Sequence, residues 1–150
     1  VSGLIQVVGG AIVDSLMEPT RMLVARRTAP EQLAGFWEFP GGKVDAGEEC
    51  EAALHRELRE ELGVEVRLGP ELPAGTAAGW RLNERASMRV WLAEITNGDP
   101  QPLEDHDQLK WISTTKRDEA LSLPWIPADF PIIRALLESL GTPVGSTATR

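Results

Sequence analysis

Leu54, Leu58 and Leu62 recur at every fourth residue and Gly63 follows at once, and no other stretch constrains the fold as tightly. Side chains four apart share one face of an α-helix, so the leucines form an apolar stripe that must pack against a core. Gly63 suits the left-handed position at which helices commonly end. A helix is therefore expected from near Glu48 to Gly63. Glu57, Glu60 and Glu61 stand beside the stripe and converge on one patch, where three carboxylates repel one another. At about 100° per residue, Glu61 falls roughly 20° around the axis from Leu54, on the edge of the buried stripe. A bare carboxylate there is costly unless paired. A hard divalent cation such as Mg²⁺ prefers carboxylate oxygen and would turn the repulsion into coordination. The alternative is a solvated acidic face, the usual meaning of a charge run.

Gly42, five residues, Glu48, seven residues, then Arg56-Glu57-Leu58-Arg59-Glu60-Glu61-Leu62-Gly63-Val64 resembles the complete signature of the Nudix hydrolase family. Every defining position is filled. The preceding Phe36-Trp37-Glu38-Phe39-Pro40-Gly41 is similar to the lead-in of the MutT-like branch, the nucleoside triphosphate pyrophosphohydrolases. The resemblance covers about residues 4 to 140 and implies an α/β/α sandwich with a mixed β-sheet. It also implies Mg²⁺ or Mn²⁺ held by Glu57, Glu60, Glu61 and the Gly41 carbonyl.

Composition narrows what such a site can serve. The 150 residues suit one domain, expected over 1–140 with a disordered tail over 141–150. The net charge of -8 and the lack of a Lys/Arg cluster argue against a polynucleotide partner. A phosphorylated small molecule still fits if a metal ion carries the positive charge. Cys50 is the single cysteine, so no intramolecular disulfide forms, and it reads as structural or incidental. Without a signal-like start or a run of 18 apolar residues, a cytoplasmic protein with no membrane contact is expected, as monomer or homodimer. The chain opens on Val1-Ser2-Gly3 without methionine, and a few residues are expected to be missing or left over from expression.

Residues 4–13 and 22–27 read as strands, apolar enough to be covered on both faces. Arg26 and Arg27 end the second, and strand alternation sends one of them to solvent. Resemblance to the MutT-like branch puts Arg27 at the nucleotide pocket. Residues 28–40 are expected to loop into Gly41 and Gly42, glycines that let backbone approach a ligand closely. Phe39 is either core or, by resemblance, beside a base, and Lys43 is a candidate for a phosphate. After the helix, a strand is expected at 64–68, a loop at 70–79, and an antiparallel pair at 80–84 and 87–95. Asn97-Gly98-Asp99-Pro100 is a turn, and a last strand follows at 109–113. Asp105 stands in the intervening loop, where MutT-like proteins often carry an acid that reaches the metal site; a turn residue is the alternative. His106 and His55 read as surface. A short helix is expected at 115–121 and a longer amphipathic one at 127–140.

Asp129 is a good N-cap for that last helix. The stretch Trp125-Ile126-Pro127-Ala128-Asp129 also resembles the base-contacting segment of MutT-like enzymes, and both roles can hold together. An ionised Asp only accepts hydrogen bonds and so favours a base with an exocyclic amino group. With aspartate here the segment is most similar to enzymes acting on cytosine nucleotides. The expected activity is metal-dependent hydrolysis of a (deoxy)nucleoside triphosphate to the monophosphate and pyrophosphate, with CTP, dCTP or 5-methyl-dCTP favoured. In it Arg56 orients Glu57, Glu48 supports the loop, and Glu57 or Asp105 takes a proton from water. An 8-oxo-dGTP diphosphatase is the alternative within the class, and a noncatalytic nucleotide sensor the alternative outside it. The intact box and the lack of a helix-turn-helix weigh against the sensor.

Overall fold

The computed structural model describes residues 4–141, so the expected tail lies, past Gly141, outside the described residues. The strands are β1 (Ile5–Val13), β2 (Arg21–Arg27), β3 (Trp37–Glu38), β4 (Gly41–Lys43), β5 (Glu65–Glu71), β6 (Trp80–Arg81), β7 (Ala86–Asn97) and β8 (His106–Ser113). The helices are α1 (Cys50–Leu62), α2 (Arg117–Leu121) and α3 (Phe130–Gly141). Among the described residues the strands form one mixed sheet. β1 lies parallel to β7 and antiparallel to β2 and β4. β3 and β8 pair with β2, and β5 and β6 with β7, all antiparallel.

Alternation along the central strands divides the core into two layers. Val8 and Ile12 of β1, Leu23 of β2 and Trp91 of β7 pack against Leu54, Leu58 and Leu62 of α1. Ala11, Val13, Met22, Val24 and Val90 face the other way, onto Ile132, Ile133 and Leu136 of α3. The near-continuous apolar runs of β1 and β2 thus follow from cover on both faces. The sheet sits between helices as an α/β/α sandwich.

Several boundaries differ from the sequence reading. α1 begins at Cys50 rather than Glu48, and Gly63 closes it at φ 74° and ψ 30°. Residues 37–38, expected as loop, and 41–43, expected in no element, become short strands because β2 and β1 offer them free edges. β5 runs on to Glu71, β6 stops at Arg81, and β8 starts three residues early. No helix among the described residues is long and apolar enough to cross a membrane.

Candidate active site

The glycine pair is the point where the sheet meets α1. Gly41 and Gly42 pair with Gly9 and Val8 of β1. A Cβ on Gly41 would collide with the Val8 carbonyl oxygen, and one on Gly42 with the Glu57 carboxyl. Only glycine allows this approach. Glu61 is almost wholly buried, and its Oε1 accepts the Gly41 N–H at 3.1 Å.

Arg56 organises the other acids. Its Nε and Nη2 meet both oxygens of Glu48 at 2.9 Å, and Nη2 also donates to the Lys43 carbonyl at 3.0 Å. Nη1 reaches Glu57 Oε2 at 3.0 Å and Glu60 Oε1 at 3.3 Å. Glu48 in turn accepts the Asp45 N–H, which closes the loop ahead of α1. The fork drawn by one arginine therefore links helix, loop and β4. Among the described residues no three His, Cys, Asp or Glu side chains already stand at metal-ligand spacing, and Glu60 is turned outward to Arg56.

A cleft of about 420 Å³ opens on the far side of the glycines. Arg27, Glu38, Phe39, Gly41, Gly42, Lys43 and Asp129 line it, with Leu33, Leu82, Met88 and Ile126 as apolar wall. A shallower hollow between Glu71 and Arg89 contains none of these residues. The two arginines that close β2 part company. Arg26 lies over the Trp37 ring and pairs with Asp107, whereas Arg27 turns inward, donating from Nη1 to Glu38 Oε2 at 2.8 Å and from Nε to the Ala29 carbonyl at 2.6 Å. Phe39 is both core and cleft wall: it is buried, with its ring centroid 5.6 Å from that of Trp125.

Two expectations fail. His106 is not loop surface: a bulge between Arg26 and Arg27 sets it opposite Arg27 at the start of β8, where its ring is buried and Nε2 lies 2.7 Å from Glu38 Oε2. Asp129 is not an N-cap. A 3₁₀ turn over Pro127–Asp129 leads into α3, the Asp129 N–H is bonded to Ile126 O at 2.8 Å, and the buried carboxyl faces the Phe39 backbone N–H. His55 is half-buried on α1.

The loop before β8 is fastened to the end of α1, since the Gln101 and Leu103 N–H groups donate to Leu62 O and Glu61 O at 3.0 Å. Asp105 is exposed, with its carboxylate 3.9 Å from Arg27 Nη2. Its neighbour Glu104, in left-handed backbone at φ 52°, is the loop acid whose charge acts on Glu57. Sequence reading gave no role to Glu104 or Glu38 and placed His106 at the surface. An acid next to Asp105 was the visible signal for the first; nothing local marks the other two.

Burial dominates the electrostatics. It pushes Glu61 up to about 8, against the opposing effects of His106 and the Gly41 N–H. Glu57 is also raised, by burial first, although Arg56 opposes the shift. Burial, then the nearby charge of Glu38, pushes Asp129 up to about 7. Glu48 goes the other way, to about 2, held ionised by Arg56 and the Asp45 N–H. For His106 burial lowers the pKa, but the Glu38 hydrogen bond and the charges of Glu61 and Glu38 outweigh it and raise it. Carboxyls as reluctant to ionise as Glu57 and Glu61 suit a hard cation, whose charge reverses the preference.

The comparisons agree with this geometry. A NUDIX domain matches residues 6–136. A Mycobacterium tuberculosis (strain H37Rv) protein named "Putative 8-oxo-dGTP diphosphatase 2" is 41% identical over 136 residues, covering 89% of each chain. The CTP pyrophosphohydrolase of Escherichia coli K12 is 37% identical over 119 residues, covering 78% of this chain and 82% of that one. The crystal structure of a MutT Nudix hydrolase from Burkholderia pseudomallei superposes with a TM-score of 0.65 at 33% identity, over 88% of this chain and 94% of that one. Nudix hydrolases generally use divalent metal ions. With the glycine pair, the acidic helix and the cleft all in one place, the chain belongs to the Nudix family and is a MutT-like hydrolase acting on acid anhydrides.

Proposed function

We propose that the protein hydrolyses a (deoxy)nucleoside triphosphate to the monophosphate and pyrophosphate with Mg²⁺ or Mn²⁺, and that cytosine nucleotides are its favoured substrates. The observation that carries this reading is the cleft that runs from Asp129 and Phe39, past Arg27 and Lys43, to the glycine pair in front of Glu57 and Glu61. A base fits its apolar end and a phosphate chain its charged end.

Gly41, through its carbonyl, and Glu57, Glu60 and Glu61 would hold the ion. When bound, it would neutralise phosphate charge and make water easier to deprotonate. The remaining work falls to the chain. Arg56 keeps Glu57 oriented through a charge-assisted bond at 3.0 Å. Glu57, with its raised pKa, is a suitable proton acceptor, and the loop acids Asp105 and Glu104 are its rivals for the role. Arg27 and Lys43 would bind phosphate oxygens, and Phe39 would flank the base.

Asp129 decides between bases. Ionised, it only accepts, and it pairs with an exocyclic amino group such as that of cytosine. Protonated, it both donates and accepts, as suits oxidised guanine, and a pKa near 7 makes both forms available at neutral pH. This supports 8-oxo-dGTP as the second reading, in keeping with the name of the mycobacterial relative. A pyrophosphate-release screen of dCTP, 5-methyl-dCTP, dGTP and 8-oxo-dGTP tests both. The expected result is highest turnover on the cytosine nucleotides, with the 8-oxo-dGTP to dCTP ratio falling as the pH rises through about 7. Preference for 8-oxo-dGTP at every pH would overturn the weight placed on an ionised Asp129, and binding without turnover would favour the sensor.

A further inference from the structure

Glu38 has no place in the chemistry above, yet both Arg27 and His106 turn toward its carboxylate. One oxygen, Oε2, receives Arg27 Nη1 at 2.8 Å and lies 2.7 Å from His106 Nε2. A carboxylate can only accept, so Nε2 carries the proton toward it. The three side chains are largely shielded, with 14% exposure for Glu38, 19% for Arg27 and 1% for His106. Three segments far apart in sequence meet at that atom: the end of β2, the strand before the glycine pair, and the loop that brings Asp105 to β8.

A second observation shows how tightly Arg27 is held. Its Nε donates to the Ala29 carbonyl at 2.6 Å, while Nη2 stands 3.9 Å from Asp105. Two of its donor directions are therefore fixed by backbone and Glu38. That leaves the outer edge of the guanidinium free to face the cleft and the loop acid. His106 secures the other side: its N–H donates to Leu103 O at 3.2 Å, and the Asp105 carbonyl accepts the Thr28 N–H at 2.8 Å. Breaking the link at Glu38 would free both the arginine and the strand that follows the loop.

We propose that Glu38 is a positioning residue, which aims Arg27 at the phosphate chain of the nucleotide and locks the Asp105 loop to the sheet through His106. The proposal rests on the nucleotide reading of the cleft. It makes a prediction of unusual sign. A carboxylate that did nothing but line this cleft would repel a triphosphate, and its removal would tighten binding. A carboxylate that positions Arg27 would, when neutralised, weaken binding instead.

The test is Glu38→Gln, which is nearly isosteric, alone and combined with Arg27→Ala. Binding of dCTP and 8-oxo-dGTP is measured by calorimetry in EDTA, and KM and kcat are measured with Mg²⁺. Glu38→Gln is expected to weaken metal-free binding and raise KM about 10-fold, the size of one charge-assisted hydrogen bond, with a smaller change in kcat. In the Arg27→Ala background the same change is expected to have no effect or to tighten binding, because the group it aims is gone. Tighter binding by Glu38→Gln alone, or equal effects in both backgrounds, would overturn the proposal. If Glu38→Gln does not fold, Arg27→Lys asks the same question, since lysine keeps the charge but not the planar fork. Unchanged binding by that variant would also overturn it. A parent protein that neither binds nor hydrolyses either nucleotide would instead refute the nucleotide reading, and the two failures are thereby distinct.

Discussion

Glu61 is a residue that costs stability and to which the proposed function gives a use. Its carboxyl is buried on the edge of the leucine stripe, with one backbone N–H for company, and its pKa stands at about 8. Because the folded-state pKa lies above the unfolded value of 4.5, the stability this proton provides is full below about 4.5 and lost as the pH rises through about 8. Glu61→Gln removes that loss. In metal-free buffer at pH 8 the variant is expected to be more stable than the parent, by on the order of 2 kcal/mol in urea unfolding. Its turnover with Mg²⁺ is expected to fall by about 100-fold or more, since a proposed ligand is gone. A variant both less stable and fully active would contradict the assignment. Sequence revealed this residue because helix periodicity fixes its angle to Leu54 without help from the rest of the fold. Glu38 and His106 stayed hidden because their partners are 68 residues apart and are brought together only by strand pairing.

At the scale of elements, the site is a contact between β4 and α1. The glycines and the helix were legible in sequence, being local patterns, and so was the stop at Gly63. The short strands β3 and β4 were not, because two or three residues carry no periodicity and exist only where β1 and β2 receive them. Asp129 misled for a related reason: its sequence context suits a cap, but the 3₁₀ turn before α3 leaves its side chain to the cleft. The contact itself predicts the outcome of Gly42→Ala. The added methyl meets the Glu57 carboxyl rather than backbone, so the glutamate swings aside and the fold survives. Turnover is expected to drop by about 100-fold, as a displacement of about 1 Å at a reacting group can cause, while the melting temperature shifts by only a few degrees. Assay and thermal melt together check this, and a large loss of stability with turnover retained per folded molecule would refute it.

For the whole molecule, the sandwich supplies rigid walls and the acids supply a cost that the core must cover. Glu61 and Asp129 both have raised pKa values, about 8 and about 7, so the metal-free protein is expected to lose stability steadily from about pH 5 to pH 8. On the proposed function Mg²⁺ would bind the ionised folded form, so its stabilisation should grow over the same range. Thermal melts with EDTA and with Mg²⁺ across that range read both trends, and parallel curves would count against them. Cover of β1 and β2 on both faces followed from their apolar runs. The edges of the sheet did not, since their residues are polar and their pairing depends on chain placed elsewhere.

The most direct measurement is a calorimetric titration of Mn²⁺ and Mg²⁺ into the parent, Glu57→Gln and Glu61→Gln at pH 8, with and without dCTP. Saturable uptake by the parent, strengthened by nucleotide and weakened at least tenfold in both variants, is the expected result. No uptake by the parent, or equal uptake by all three proteins, would contradict the claim that the glutamates of α1 are placed to hold a cation.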